Sequence, residues 1–150
     1  MNDCHYAPSD AKPELIDRLI GAAGADPADR VAIAGGRVDL LIGVLRRGFA
    51  DALCIGAEAP VGSEDFEIIL IPDAGPTAQL CKALRRLLHR LHPGGTAVLR
   101  QPPGGSIRGR RALRRALQDC GLVPLGEQSS ADGVLMTARK PAAARLAQVA

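Results

Sequence analysis

The 150-residue sequence has no tryptophan, one tyrosine and two phenylalanines, so aromatics make up only 2% of the chain. Rings that could stack on bases are nearly missing, which argues against nucleic acid as a ligand, and the core must be built from Leu, Ile, Val and Ala. Cysteine is sparse too: Cys4, Cys54, Cys81 and Cys120 stand far apart, with no C-x-x-C and no nearby histidine pair. A zinc site and a disulfide framework fall away, leaving buried, reduced thiols and a cytoplasmic setting as the expectation. No apolar run approaches bilayer length, and residues 1–10 have neither the basic region nor the apolar centre of a targeting signal, so a soluble, unprocessed protein is expected. His5, His89 and His92 fall in a tail, on a helix and at its stop, where no catalytic triad or paired-histidine site can be assembled. Charge singles out no partner either, since 19 basic against 16 acidic residues leave only +3.

What the sequence does have is an alternation of short apolar runs and amphipathic stretches. The length suits one domain, read as a loose N-terminus at 1–8, a folded unit at 9–141 and a tail at 142–150. Residues 66–100 are the clearest part. Phe66, Ile68, Ile69, Leu70 and Ile71 form a nearly continuous apolar run closed by Pro72-Asp73, which suits a strand buried on both faces of a parallel sheet. From Pro76, apolar residues recur at Leu80, Leu84, Leu87, Leu88 and Leu91, with Lys82, Arg85, Arg86, His89 and Arg90 mainly elsewhere on the wheel. His92-Pro93-Gly94-Gly95 is read as the stop of this helix, and residues 96–100 as the next strand.

The flanks repeat the theme. Ser9 or Asp10 can cap a helix with Leu15, Ile16, Leu19, Ile20 and Ala23 on its apolar face. Residues 30–34 read as a strand leading into Gly35-Gly36, and Val38, Leu41, Ile42, Val44 and Leu45 as the inward face of the following helix. Residues 52–56 complete a βαβ unit, whose right-handed crossover makes its strands parallel. Residues 108–120 read as a helix with Leu113, Ala116, Leu117 and Cys120 inward, followed by strands at 122–128 and 133–139. Arg85, Arg86, Arg90, Arg110, Arg111, Arg114 and Arg115 read first as solvated helix faces, and as a basic surface for an anionic partner if their two helices share one sheet face.

The order of an acid, several branched apolar residues, a loop, a long helix ending in L-x-P-G-G (Leu91-His92-Pro93-Gly94-Gly95) and a strand resembles the second half of a class I S-adenosylmethionine-dependent methyltransferase. In weaker form the resemblance extends over residues 30–141. It implies an α/β three-layer sandwich with a mostly parallel sheet of about six strands and a C-terminal antiparallel hairpin, whose last strand inserts between its neighbours. Between Glu58 and Phe66 there is too little chain for the helix and strand the family normally places there, so a reduced version of the fold is expected.

The resemblance also implies roles. Gly35 and Gly36 would lie against S-adenosylmethionine, Glu58 would accept hydrogen bonds from the ribose hydroxyls, and Asp73 would stand beside the methyl acceptor as a base or an amine anchor. The family's glycine loop runs roughly D-x-G-x-G-x-G, whereas here Ile33 stands in the acid's place and Arg37 and Asp39 replace the later glycines. The dinucleotide pattern G-x-G-x-x-G fails as well, at Arg37 and Leu40. Read without the resemblance, Gly35-Gly36 is a tight strand-to-helix turn, Glu58 a solvated loop residue and Asp73 a turn or capping residue. Two functions stay open. One is methyl transfer to a small acceptor; the other is a non-catalytic relative serving as an interaction or dimerisation module, a homodimer included.

Overall fold

The computed structural model describes residues 13–35, 37–55, 65–73 and 77–142, the side chains at 77–81 and 83 excepted. The elements run α1 (Pro13–Ala23), β1 (Val31–Ala34), α2 (Val38–Arg46), β2 (Ala52–Ile55), β3 (Phe66–Ile71), α3 (Thr77–Leu88), β4 (Leu91–Gln101), α4 (Ile107–Asp119), β5 (Val123–Ser130) and β6 (Gly133–Arg139). The strands form one six-stranded sheet in the order β2-β1-β3-β4-β6-β5. From β2 to β4 the pairs are parallel. β6 is antiparallel to both β4 and β5 and lies between them, as expected of the closing hairpin.

Alternation along residues 68–71 sends the side chains of β3 into two separate cores, and the register irregularity between Phe66 and Ile68 places Phe66 with Ile69 and Ile71. Ile68 and Leu70 join Val31, Ile33 and Val98 under α1 and α2, against Leu15, Ile16, Leu19, Leu40 and Val44. Phe66, Ile69 and Ile71 join Ala97, Leu99 and Met136 under α3 and α4, against Leu84, Leu87, Leu113 and Leu117. The layers are therefore helix, sheet, helix, which keeps a strand apolar on both sides away from water. Among the described residues no helix is long and apolar enough to cross a membrane.

Three expectations need correction. The inward face of α2 is Leu40, Gly43 and Val44, while Val38, Ile42 and Leu45 are exposed. Gly43 is the cause: a β-carbon there would collide with Ile16 Cδ1, so the glycine lets α1 pack directly onto α2. Arg47 then fastens the two helices, donating to Asp17 Oδ1 at 2.6 Å, to the Gly43 carbonyl at 2.9 Å and to the Pro13 carbonyl at 3.0 Å.

The second correction concerns Leu91-His92-Pro93-Gly94-Gly95. α3 already ends at Leu88, and the five residues belong to β4 as an irregular opening, across which the β3 register jumps from Phe66↔Leu91 to Ile68↔Thr96. Lys140 secures this corner. Its Nζ donates at 2.8 Å to the carbonyls of Leu88 and Leu91, the former at the C-terminus of α3 where a cation is favoured. Its backbone pairs with Gly94 and Gly95 at 2.9 Å. Third, Cys54 and Cys120 are only half-buried.

The β5–β6 turn depends on Gly133, with φ of +112° and no room for a β-carbon, which would run into the Gln101 carbonyl oxygen. Because the obstacle is backbone, Gly133→Ala is expected to lower unfolding free energy by roughly 2–4 kcal/mol. Gly126→Ala, which meets nothing within 4 Å, is expected to change it by less than about 0.5 kcal/mol. Urea denaturation of the two variants checks the contrast.

Candidate functional site

Strand order reverses between β1 and β3: β1 leads through α2 outward to β2, and β3 leads through α3 to β4 on the other side. Loops diverge at the carboxyl ends of such a pair and leave a crevice, the usual ligand position in an open α/β sheet. One lip here is Gly35 with Arg37, and the other is Pro72 with Asp73. Gly35 has φ of +99°, a conformation that L side chains avoid, and its N–H donates to the Ile55 carbonyl at 2.8 Å. That glycine turns the chain sharply from β1 towards α2.

Arg37 joins the two lips. Its Nε and one terminal nitrogen grip both oxygens of Asp39 at 3.0 Å each, and the other terminal nitrogen reaches Asp73 Oδ2 at 3.0 Å. The second oxygen of Asp73 accepts from Arg100 at 3.2 Å. Arg100 rises from the end of β4 with its side chain only 14% exposed, and it also donates to the carbonyls of Pro72 and Asp132 at 2.9 Å each. Two arginines and two aspartates thus form a charge-balanced chain across the carboxyl ends of β1, β3 and β4.

Asp39 lies in the first turn of α2, where the helix dipole favours an anion. Hydrogen bonds from Arg37, with smaller help from the backbone N–H groups of Leu40 and Asp39, hold its carboxyl below the usual carboxylate range despite burial. Arg37 is pushed further into its charged form, first by its bonds to Asp39. Cys54, beside the same turn, shifts the other way: burial raises its thiol pKa, and the Asp39 carboxylate adds to the rise. Its Sγ lies 3.6 Å from the Arg37 carbonyl oxygen.

Of the residues expected at the site, Gly35 and Asp73 do stand at the switch point, but Asp73 is engaged by two guanidinium groups. Gly36 and Glu58 lie outside the described residues. Ile33, in the place of the family's acid, is fully buried in the core under α1 and α2. The described residues therefore do not fit S-adenosylmethionine in the family's usual manner, with no acid at the end of β1 and the Arg37 side chain crossing the crevice. Among the described residues no group of His, Cys, Asp and Glu could hold a metal ion. Sequence reasoning overlooked Arg100, although a lone arginine ending the apolar run Ala97-Val98-Leu99 was the signal.

Replacing Arg37 by alanine leaves Asp39 without its main partner, and the cost is expected to be about 1–2 kcal/mol at neutral pH, between exposed and buried ion pairs. The sign of the pH dependence follows from Asp39, whose folded-state pKa is depressed. Its stabilisation is present above the unfolded value of about 4 and disappears as pH falls through the lower folded value. The stability gap between the native protein and Arg37→Ala should therefore narrow below about pH 4. Denaturant titrations at a series of pH values check this.

No family model matches the sequence, and no curated protein matches it. Solved structures do resemble it in fold. A ribosomal protein L11 methylase from Lactobacillus delbrueckii subsp. bulgaricus superposes with a TM-score of 0.66 at 15% identity, covering 85% of this chain and 77% of the other. The [4+2]-cyclase SpnF gives 0.63 at 17% identity, covering 94% and 85%. The N-methyltransferase NodS from Bradyrhizobium japonicum WM9, in complex with S-adenosyl-L-homocysteine, gives 0.57 at 15% identity, covering 93% of each chain. Identities this low speak for architecture alone. Together with the strand order and the inserted antiparallel β6, they establish that the chain has the class I methyltransferase-like fold.

Proposed function

We propose that this methyltransferase-fold chain is a non-catalytic relative that serves as an interaction or dimerisation module. One observation carries the reading: the Arg37–Asp73 ion pair at 3.0 Å spans the switch-point crevice from lip to lip. A cofactor entering there would have to part this pair, because Arg37 and Asp73 already satisfy one another across the opening. Asp73, the one candidate for work on an acceptor, shares its two oxygens between Arg37 and Arg100. An acceptor approaching either oxygen meets a guanidinium group already in place. Fold is no counter-argument, because a [4+2]-cyclase resembles this chain about as well as the methyltransferases do.

The second reading, S-adenosylmethionine-dependent methyl transfer to a small acceptor, draws support from the positive-φ turn at Gly35 and from the position of Asp73 at the end of β3. Thermal denaturation with S-adenosylhomocysteine separates the two. A ligand at a hundredfold excess over its dissociation constant stabilises the native state by about 2.7 kcal/mol, roughly 5–10 °C for a chain of this size. No shift is expected at millimolar ligand, and a rise of that order would favour methyl transfer. A rise seen only with Arg37→Gly, which restores the glycine of the family pattern, would locate the block at Arg37.

A further inference from the structure

α3 and α4 lie side by side on one face of the sheet, with Leu84, Leu87, Leu113 and Leu117 in a common core. That meets the condition for a shared basic surface. The two helices hold eight basic residues and a single carboxylate, Asp119 at the end of α4. The entire chain is only +3, so the rest of the molecule is net acidic and the positive charge is segregated onto this face. Arg108, Arg111 and Arg115 recur at i, i+3 and i+7, forming one exposed stripe along α4. None of the three has a carboxylate partner among the described residues, whereas Arg114 pairs with Glu127.

Stability does not account for this placement. Arg108, Arg110 and Arg111 sit in the opening turns of α4, where the helix dipole disfavours cations, and the first turn has no acid to offset them. Arg110 Nε is buried without a hydrogen-bond partner among the described residues. Neighbouring guanidinium groups also repel one another, so the face carries a cost that a polyanion would relieve.

We infer that the α3–α4 face binds the phosphodiester backbone of duplex nucleic acid without regard to sequence. Guanidinium groups match phosphate oxygens in paired hydrogen bonds, and a stripe of them needs an anion that repeats along a line. The scarcity of aromatics removes base stacking, the main device for holding single strands, but has no bearing on contacts to a duplex backbone. A bilayer is less well matched. Amphipathic helices bind membranes through their apolar face, and that of α4 is already spent on the core through Leu113, Ala116 and Leu117.

Whether the switch-point crevice takes a cofactor has no bearing on this face. The test is fluorescence anisotropy of a short labelled duplex with the full chain over a salt series. Binding is expected at low salt, with the logarithm of affinity falling linearly against the logarithm of salt concentration. Combined Arg108→Gln, Arg111→Gln and Arg115→Gln should flatten that slope by about 2.7, at about 0.9 for each phosphate no longer neutralised, and weaken low-salt binding at least about tenfold. The corresponding lysine triple variant should keep the slope, and Arg46→Gln, exposed on α2 across the sheet, should bind like the native chain. All three positions of the stripe are exposed, so melting temperatures no lower than that of the native chain verify folding. Absence of duplex binding at low salt, a glutamine triple variant that binds like the native chain, or tighter binding to single strands or phosphatidylserine vesicles than to duplex would each overturn the inference.

Discussion

The two-sided burial of β3 constrains the rest of the molecule. Ile68, Ile69, Leu70 and Ile71 are each 5% exposed or less, so neither face of this strand can meet water. One face needs α1 and α2, the other α3 and α4, and each fully buried aliphatic side chain among them contributes on the order of 1.5–3 kcal/mol. Parallel pairing with both β1 and β4 follows, because helices laid over the two faces must be delivered by crossovers. The reversal of strand order between β1 and β3, and with it the crevice, results from the same arrangement.

How much of this could be read in the sequence depended on the range of the interaction. Phe66–Ile71 and Ile107–Asp119 were legible because a continuous apolar run and a helical repeat are local signals. α2 misled because its closest approach to α1 is made by Gly43, and counting apolar side chains gives no weight to a residue whose value lies in having none. The Pro93-Gly94-Gly95 corner misled for the opposite reason. Its composition signals an interruption, yet Lys140 brings hydrogen bonds from far along the chain and the corner becomes part of β4. The site depended on distance most of all: Arg37 and Asp73 are 36 residues apart, Asp73 and Arg100 27. Glycines and an aspartate near strand ends could be picked out singly, but not the aspartate's capture by two arginines.

At the switch point the fold provides what an anionic or polar ligand would find attractive, a helix N-terminus and a sharp glycine turn. The chain fills that position with its own carboxylates. Asp39 settles on the first turn of α2, and Asp73 settles between guanidinium groups from either side. The network is neutral in sum, and Arg100 is also tied to the carbonyls of Pro72 and Asp132. Its effect is to couple the ends of three strands and the β5–β6 turn.

The insertion of β6 between β4 and β5 sets an order of assembly. Among the described residues β5 pairs only with β6, so it has no seat in the sheet until a strand later in the chain has arrived. β6 in turn is fixed at its far end by Lys140, whose ammonium closes the carbonyls of Leu88 and Leu91, 52 and 49 residues earlier. During synthesis, β1 to β4 can form as soon as they emerge, but β5 must wait. Closure of the sheet thus waits for β6, and a chain halted before Gly133 would expose the free edge of β4.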